Sequence, residues 1–363
     1  MKNSKYTLKL ILALVAVGFL NACDSEDDQP KVDPAVSSAI IDAEVGGANQ
    51  PNQVFIDFSS KTQTVVNRAS WDLGFYSGSE FRVILNNPAS MLAQSIDKND
   101  LAQVTAEDTV GMGAKMDIDA IFGSLFGAPA EWLPQAQTWM DQPDGSLEGT
   151  AIAEVSATAD QNKVYIINRG KNADGTARGW MKARFLRDGS GYKMQYAEIN
   201  SATFSELQIT KNSDYNFNYV NLNQGLVNVE PEKKKWDICF TIFTNLLPID
   251  ATTKIPYAYK DFVIQNRAFI EVAEVAVADF TYADFTYANS TDLNYSSDLT
   301  TIGSNWRIVA QPGSDKETGV NPDIFYVVKD SDNNYYKLKF TRMLDPVSGE
   351  RGYPQIQYDL LAQ

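Results

Sequence analysis

The strongest constraint on the fold is a series of short apolar segments with turn residues between them. The segments are rich in aromatic and β-branched side chains, a composition typical of β-strands, and they are too short for most helices. They cover residues 54–58, 71–76, 81–85, 164–168, 181–186 and 192–196. The last two flank Arg187-Asp-Gly-Ser-Gly191, a sequence that favours a tight hairpin. The sequence therefore predicts a mostly β fold with antiparallel sheets.

One stretch of the chain departs from this pattern. Between Ile118 and Phe126, apolar residues recur at the spacing that places them on one face of a helix. Asp117 is positioned to cap that helix and Gly127 to end it. We therefore expect a short helical insertion within residues 116–133.

The chain also repeats itself loosely. Trp71-Asp-Leu-Gly-Phe in the first half is matched by Trp236-Asp-Ile-Cys-Phe in the second, and residues 163–185 are matched by residues 324–340. A one-residue shift in strand pairing would turn the core face outward, so alternation that is kept in both halves indicates a shared fold. Two similar β units are predicted, residues 41–212 and residues 213–363.

The N-terminus has the pattern of an export signal. Three lysines precede the apolar run 10–20, which has the length of the hydrophobic part of a signal peptide and is short for a membrane span. The run ends in Leu20-Asn-Ala-Cys23, which resembles a lipobox, the motif whose cysteine is diacylated after cleavage. We expect a signal peptide over residues 1–22 and lipidation of Cys23. The alternative is an ordinary signal peptide followed by a coincidental cysteine.

Acidic residues occupy positions 24, 26, 27 and 28, directly after this cysteine. The arrangement resembles the surface-export signal of Bacteroidetes-type lipoproteins, and it is equally typical of a solvated linker. An acidic flexible tether is predicted over residues 23–40. The expected location is the outer membrane, with the protein held by its lipid at the cell surface.

The charge and the absence of one residue type exclude several functions. The formal net charge is −15 with a sequence pI near 4.5, which repels phosphate backbones and argues against a nucleic-acid partner. The chain has no histidine, which excludes Ser-His-Asp and Cys-His nucleophiles, imidazole zinc sites and the commonest haem ligand. We expect no metal site independent of haem.

The remaining polar groups do not suggest catalysis. Paired carboxylates such as Asp330 and Asp332 fit a hairpin turn better than a glycosidase pair. With Cys23 assigned to lipid, Cys239 has no disulfide partner, and its apolar strand-like surroundings predict a buried, inert thiol. The chain is therefore not expected to be an enzyme.

The order and spacing of these segments resemble the HmuY family of bacterial lipoproteins. The matching residues are the two Trp-Asp-x-x-Phe segments, Ile302-Gly-Ser-Asn-Trp-Arg307, the hairpin-like residues 325–340 and the ending at residues 349–358. The resemblance covers most of residues 50–363. It implies an all-β, surface-attached or shed protein that binds haem and passes it to an outer-membrane receptor.

The resemblance also implies how the iron is held. Two axial side chains are expected from the segment between the Trp-Asp strand and the later Tyr-Val hairpin. The best-known members use two histidines, which this chain lacks. Some members are thought to use a methionine pair, and the thioether is a chemically sound ligand that favours Fe(II).

Methionines occur in this segment of the first unit and not in the second. Residues 86–162 contain Met91, Met112, Met116 and Met140, whereas residues 245–322 contain none. Met112 or Met116 is a candidate for one haem ligand, and Met140 is the candidate for the other. The competing interpretation is that these methionines only fill gaps in a core.

Weaker ligand candidates are Met91 and Tyr76, since phenolate binds ferric haem in other proteins. Phe126, Trp132 and Trp139 are candidates for the apolar walls of a porphyrin pocket. The sequence thus predicts a surface lipoprotein that binds haem or a related porphyrin for iron acquisition, without histidine ligation. The alternative is a binding or scaffold lipoprotein of the same fold that takes a glycan or a receptor partner and no haem.

Overall fold

The computed structural model describes residues 37–127, 130–311, 313 and 315–362. The predicted signal peptide, the lipidation site Cys23 and residues 23–36 of the predicted tether lie outside this range. Residues 38–40, the end of the predicted tether, belong to the first strand. In the described ranges, no helix combines the length and apolar character that crossing a membrane requires.

Short strands make up most of the described chain. Up to residue 209 the strands are β1 (Ser38–Asp42), β2 (Asn52–Asp57), β3 (Thr62–Asn67), β4 (Leu73–Tyr76), β5 (Val83–Leu85), β6 (Leu92–Ile96), β7 (Val164–Asn168), β8 (Trp180–Asp188), β9 (Gly191–Glu198) and β10 (Ser205–Ile209). After it they are β11 (Phe217–Asn221), β12 (Gly225–Val227), β13 (Ile238–Pro248), β14 (Lys254–Gln265), β15 (Glu271–Ala276), β16 (Arg307–Ile308), β17 (Gly319–Val320), β18 (Ile324–Lys329), β19 (Tyr335–Leu344) and β20 (Arg351–Leu360).

The helices are few and short. The α-helices are α1 (Ile118–Gly123) and α2 (Tyr287–Ser290). The 3-10 helices are Asn87–Ala89, Leu101–Gln103, Ala106–Thr109, Met112–Ala114, Ser124–Phe126, Leu133–Trp139, Leu147–Gly149 and Ala159–Gln161. At the start of α1, Asp117 Oδ1 accepts the backbone N–H groups of Asp119 and Ala120 at 3.0 and 3.1 Å. The predicted helical insertion and its Asp117 cap are confirmed.

The strands form four main antiparallel sheets. The first five-stranded sheet has the order β10-β9-β8-β7-β6, and the second has the order β1-β20-β19-β18-β15. The first four-stranded sheet is β12-β11-β4-β5 and the second is β14-β13-β2-β3. The hairpin predicted at residues 187–191 joins β8 to β9, with Asp188 paired to Gly191. The predicted mostly β, antiparallel architecture is confirmed.

Strands from the two sequence repeats pair with each other. The hairpin β2–β3 precedes the first Trp-Asp segment, yet β2 pairs with β13, the strand that follows the second Trp-Asp segment. The hairpin β11–β12 pairs in turn with β4, the strand of the first Trp-Asp segment. β1 pairs with β20. A boundary at residue 212 would therefore separate strands that are hydrogen-bonded neighbours. The division into two units stays a prediction, and it rests on the similarity of the two halves of the sequence.

A hydrophobic cluster fills the space between each five-stranded sheet and a four-stranded sheet. The first cluster contains Phe75, Phe185 and Tyr192, and the second contains Phe58 and Trp306. Residues of both sheets contribute to each cluster, because alternate strand residues face inward. Cys239 on β13 is buried, as predicted, and burial raises the pKa of its thiol.

The hairpins β2–β3 and β11–β12 each pair with a strand of the other repeat, and we call them the exchanged hairpins. The two aspartates of the Trp-Asp segments form hydrogen bonds to them. Asp237 Oδ2 accepts the backbone N–H of Phe58, just after β2, at 2.7 Å. Asp72 Oδ2 accepts the backbone N–H of Leu222, just after β11, at 2.8 Å. Each buried carboxylate thus satisfies a backbone donor of the other repeat.

The two aspartates differ in their counter-charges. Arg169 donates to both oxygens of Asp72 at 2.9 Å, and Arg178 lies 2.8 Å from the same carboxylate. No ion pair to Asp237 occurs in the described part of the chain. Burial, followed by repulsion from Asp57, raises the pKa of Asp237 well above its ordinary value.

Substituting each aspartate with asparagine should therefore change stability in opposite directions. Asp72→Asn removes the charge that two buried arginines face, and we expect a loss of about 3–5 kcal/mol in the free energy of unfolding. Asp237→Asn keeps an oxygen for the Phe58 N–H and removes an uncompensated buried charge, so it should stabilise the fold at neutral pH.

Urea unfolding measured at acidic and neutral pH tests both expectations. Because the pKa of Asp237 is raised in the folded state, its contribution is fully present below 3.8 and is lost as the pH rises through the raised value. The stabilisation by Asp237→Asn should therefore vanish in acid. Equal destabilisation by both substitutions at neutral pH would contradict this account.

Candidate functional site

A cleft lies between the two four-stranded sheets, and its interior walls are aromatic. Trp71 packs edge-on against Tyr219 with ring centres 4.8 Å apart, and Phe55 packs the same way against Trp236 at 5.1 Å. All four belong to one buried cluster that draws on both sheets. The exchanged strands therefore build the interior of the cleft.

The two tryptophans of the repeated segments differ in their hydrogen bonding. Trp71 Nε1 donates to Gln53 Oε1 at 2.9 Å. Trp236 is equally buried, but its Nε1–H has no acceptor among the described residues. An unpaired buried donor costs free energy, and the Nε1 atom of Trp236 is itself enclosed beside the cleft.

The aromatic interior has a volume of about 100 Å³. It opens into a wider mouth of about 760 Å³, and the volume of the mouth is typical of sites for small ligands and cofactors. Polar side chains dominate its rim. Residues that line the mouth include Tyr76, Ser77, Asp144, Ser213, Tyr215, Lys233, Phe269, Ser296, Ser297 and Asp298. Asn216, Arg267 and Leu299 line both the mouth and the aromatic interior. The two spaces therefore form one cleft.

Arg267 is the cation at the junction of mouth and interior. It lies two residues after β14, and its guanidinium carbon is 4.8 Å from the centre of the Phe217 ring. Its Nη1 donates to the backbone oxygen of Gly145 at 3.0 Å. Burial lowers the pKa of Arg267, and the nearby Glu230 carboxyl partly counteracts this effect.

Two shielded carboxyl groups lie near this arginine, and both are bound to backbone donors. Glu230 Oε1 accepts the Phe217 N–H at 2.9 Å. Asp141 accepts the backbone N–H groups of Leu85 and Ala151 at 2.8 and 2.9 Å. Burial raises the pKa of Glu230 to about 7 and that of Asp141 to about 6. Near neutral pH the cleft can therefore change its charge.

This arrangement suits binding of a ligand that is apolar or aromatic in part and accepts hydrogen bonds. The walls supply flat apolar surface, while Arg267 and Trp236 supply donors. Among the described residues, no cluster of His, Cys, Asp or Glu could hold a metal ion by itself.

Tyr76, a weaker ligand candidate from the sequence, lines the mouth of this cleft. Its ring centre lies 5.6 Å from that of Phe217. The phenol end lies so close over Gly78 that a Cβ there would come within 2.6 Å of the Tyr76 hydroxyl oxygen. Glycine at position 78 is therefore required for this placement of the ring.

The main methionine candidates lie elsewhere, in a cluster built by the helical insertion. Met112, Met116 and Met140 are at most 7% exposed and pack in one hydrophobic cluster against β6 and β7. Trp139 is buried in the same cluster, and Trp132 packs against it with ring centres 5.8 Å apart. The structure brings these five residues together, away from the cleft.

The other two candidates are separate from this cluster. Met91 is buried in the cluster between the first five-stranded and four-stranded sheets. Phe126 is 80% exposed and contacts Phe122 edge-on at 5.5 Å. Of the residues singled out from the sequence for haem, only Tyr76 lines the cleft.

Sequence reasoning missed Arg267, Glu230 and Asp141. They come from three distant segments, and none lies in a motif with a defined spacing. The repeated Trp-Asp segment was a usable signal for Trp71 and Trp236, because it marked both strands that flank the cleft.

Comparison with known proteins identifies the family. The model of the HmuY protein family matches residues 49–358, which is most of the chain. The chain belongs to the HmuY family. No curated protein matches the chain.

Solved structures similar to this HmuY-family chain share little sequence with it. A protein named as HmuY-like and haem-binding, from Bacteroides vulgatus ATCC 8482, is 12% identical, with 91% of this chain and 96% of that chain covered and a TM-score of 0.24. A protein named as a lipoprotein, from Bacteroides fragilis NCTC 9343, is 12% identical, covering 50% and 90%, with a TM-score of 0.22. The apo HmuY analogue of Tannerella forsythia is 17% identical, covering 40% and 89%, with a TM-score of 0.21.

The shielded carboxyls of the cleft predict a pH-dependent stability. The pKa of Glu230 rises from 4.5 to about 7 on folding, so its contribution is full below 4.5 and is lost as the pH rises through about 7. Glu230→Gln should flatten the decline in the free energy of unfolding over that interval by an amount on the order of 3 kcal/mol.

Urea unfolding across this pH range measures the effect, with Asp250→Asn as the control. Asp250 is fully exposed, and hydrogen bonds from Thr252 and Thr253 lower its pKa to about 2, so its titration lies outside the range. A decline in stability that is the same in Glu230→Gln as in the unmodified protein would contradict the role given to Glu230.

Proposed function

We propose that this chain is a lipid-anchored surface protein that binds haem or a related porphyrin in the cleft between its four-stranded sheets, as part of iron acquisition. The observation that carries the proposal is the cleft itself, with aromatic interior walls, a wide mouth and a cation at their junction. Membership of the HmuY family supports it. The proposed role is binding without catalysis.

The residues of the cleft fit a porphyrin in three respects. Its mouth, at about 760 Å³, lies in the range of cofactor sites, whereas the aromatic interior behind it has a volume of about 100 Å³. Arg267 and Lys233 line the mouth and are suited to the propionate carboxylates that a haem carries. Tyr76 offers a phenol oxygen at the same mouth, which is a suitable ligand for ferric iron.

For ferrous haem, we propose that methionine thioethers are the iron ligands. Met112, Met116 and Met140 are buried in one cluster, and Met91 in another, so a thioether reaches iron only if its cluster opens. Such opening has a cost, because buried methionines lose their packing contacts. Ferric haem should consequently bind first, through the cleft.

A second candidate function has its own supporting observation. The rim of the mouth is rich in hydroxyl groups, with Ser77, Ser213, Ser296 and Ser297 lining it. Hydroxyl-rich rims suit hydrogen bonding to a sugar, so a glycan-binding or receptor-binding lipoprotein that has lost haem is the alternative.

Visible absorption titration separates these candidates. We expect residues 24–363 to shift the Soret band of ferric haem on binding, and Tyr76→Phe to remove the spectral signature of phenolate ligation while the protein stays folded. If a shift appears only after reduction, and Met140→Leu removes it, the ligand is a thioether instead.

Tyr295→Phe is a matched control, because Tyr295 lies outside the cleft lining and packs against Tyr335 at 5.8 Å. It should leave the spectrum unchanged. The absence of a Soret shift in both oxidation states would reject haem binding and favour the glycan or receptor alternative.

The lipid anchor is proposed from Leu20-Asn-Ala-Cys23 and the acidic residues after it. It would hold the protein on the outer membrane, facing an outer-membrane receptor as partner. The first described strand begins at Ser38, so residues 24–37 separate the proposed lipid from the fold.

Fatty-acid labelling in a Gram-negative host tests the anchor. We expect the full chain to incorporate labelled palmitate and Cys23→Ala to lose the label. Cys239→Ala is the control, since Cys239 is the other cysteine and is buried, and it should stay labelled. Unchanged labelling of Cys23→Ala would remove the anchor from the proposal.

A further inference from the structure

We propose that Arg267 binds a carboxylate of the ligand at the junction of the mouth and the aromatic interior, so that the cleft selects organic acids over neutral analogues of the same shape. The inference deepens the proposed function and rests on the cleft being the ligand site. It does not depend on iron, because none of its contacts involves a metal ligand.

Arg267 has more hydrogen-bond donors than the described residues use. A guanidinium has five N–H donors, and the only hydrogen bond that Arg267 makes to described residues is from Nη1 to the Gly145 oxygen. No described carboxylate forms an ion pair with it. The remaining N–H groups of Arg267 are not enclosed, so a carboxylate that enters the cleft can reach them.

Ionisable groups of other segments face Arg267. Glu230, Asp141, Tyr219 and Tyr76 all lie close enough to act on its charge. The two carboxyl groups already accept backbone N–H groups, and burial raises the pKa of Asp141 to about 6 and that of Glu230 to about 7, so protonation removes their compensation of the guanidinium as the pH falls below about 6. In mildly acidic solution Arg267 therefore faces a ligand without a compensating carboxylate.

Trp236 is the second unpaired donor. Trp236 lines the aromatic interior, and its Nε1–H has no acceptor, whereas its counterpart Trp71 donates to Gln53. A ligand that brings acceptor oxygens offers a partner to a donor that the protein leaves unsatisfied. Two donors of different type thus favour the same chemistry in the ligand.

The geometry of the guanidinium suits a carboxylate. Arg267 stacks over Phe217 with 4.8 Å between the guanidinium carbon and the ring centre. Stacking on a ring supports the planar fork while leaving its edge N–H groups available for a bidentate carboxylate. The adjoining walls of Trp236 and Tyr219 suit a flat or aromatic body attached to that carboxylate.

The test uses two pairs of probes that differ only in charge. The first pair is metal-free protoporphyrin IX and its dimethyl ester, and the second is 2-naphthoate and 2-naphthamide. Quenching of tryptophan fluorescence gives Kd for each probe with the mature chain and with Arg267→Met. We expect each acid to bind roughly 10- to 100-fold more tightly than its neutral partner, and Arg267→Met to abolish that preference.

Arg187→Met is the matched control. Arg187 also stacks on a phenylalanine, with its guanidinium carbon 4.1 Å from the centre of the Phe81 ring, but it does not line the cleft. It should keep the preference for the acids. Circular dichroism and thermal unfolding of both variants show that the fold is retained, and Arg267→Lys should recover only part of the preference because it restores the charge without the fork.

The outcomes separate this inference from the proposed function. A preference for naphthoate that depends on Arg267, without binding of either porphyrin, supports the carboxylate site and rejects the porphyrin. Equal binding of protoporphyrin and its ester, with no preference in the second pair, keeps the porphyrin and overturns the carboxylate site. Absence of an Arg267-dependent preference in both pairs overturns the inference in every case.

Discussion

The structure depends on two hydrogen bonds that connect the repeats, one from each repeat to the other. Asp72 accepts the backbone N–H that follows β11, and Asp237 accepts the backbone N–H that follows β2. These bonds hold each hairpin against the strand of the other repeat, where a regular antiparallel ladder completes the attachment. Each four-stranded sheet is therefore a composite of both repeats, and the cleft lies where the two composites face each other.

The two copies of the Trp-Asp segment have diverged in their partners. In the first copy, Trp71 has an acceptor in Gln53 and Asp72 has two arginines, so both polar groups are satisfied. In the second copy, Trp236 has no acceptor and Asp237 no counter-ion within the part of the chain described. Buried polar groups without partners tend to occur in proteins at functional sites. The copy whose tryptophan Nε1–H is unpaired is the one beside Arg267.

The sequence predicted the elements of the fold better than their assembly. A short run rich in aromatic and β-branched residues identified β7 with its observed bounds, and Asp117 identified the start of α1, because both signals are local. The exchange of hairpins was not predictable in this way. Both repeats have a hairpin before the Trp-Asp segment, so the order of segments is equally compatible with pairing within a repeat and with pairing between repeats.

The site was harder to predict for a related reason. Methionine in a loop is compatible with a ligand and with a core, and only the tertiary packing shows that Met112, Met116 and Met140 share a buried cluster. Arg267 follows a strand end that resembles many others, and its position near Glu230 and Asp141 depends on three segments that meet only in the folded chain. Tyr76 was singled out because phenolate is a ligand of ferric haem, and the structure shows that it lines the mouth of the cleft.

The pairing of β1 with β20 has a consequence for the order of folding. The first five-stranded sheet is made of strands that follow one another along the chain, so its contacts can form while later residues are still being synthesised. The second five-stranded sheet joins β1, the earliest described strand, to β20, the last one. Closing so long a loop is the most costly entropic step in the assembly. β1 must therefore stay without its partner until β20 has been made, and an unpaired strand edge of this kind is prone to aggregation.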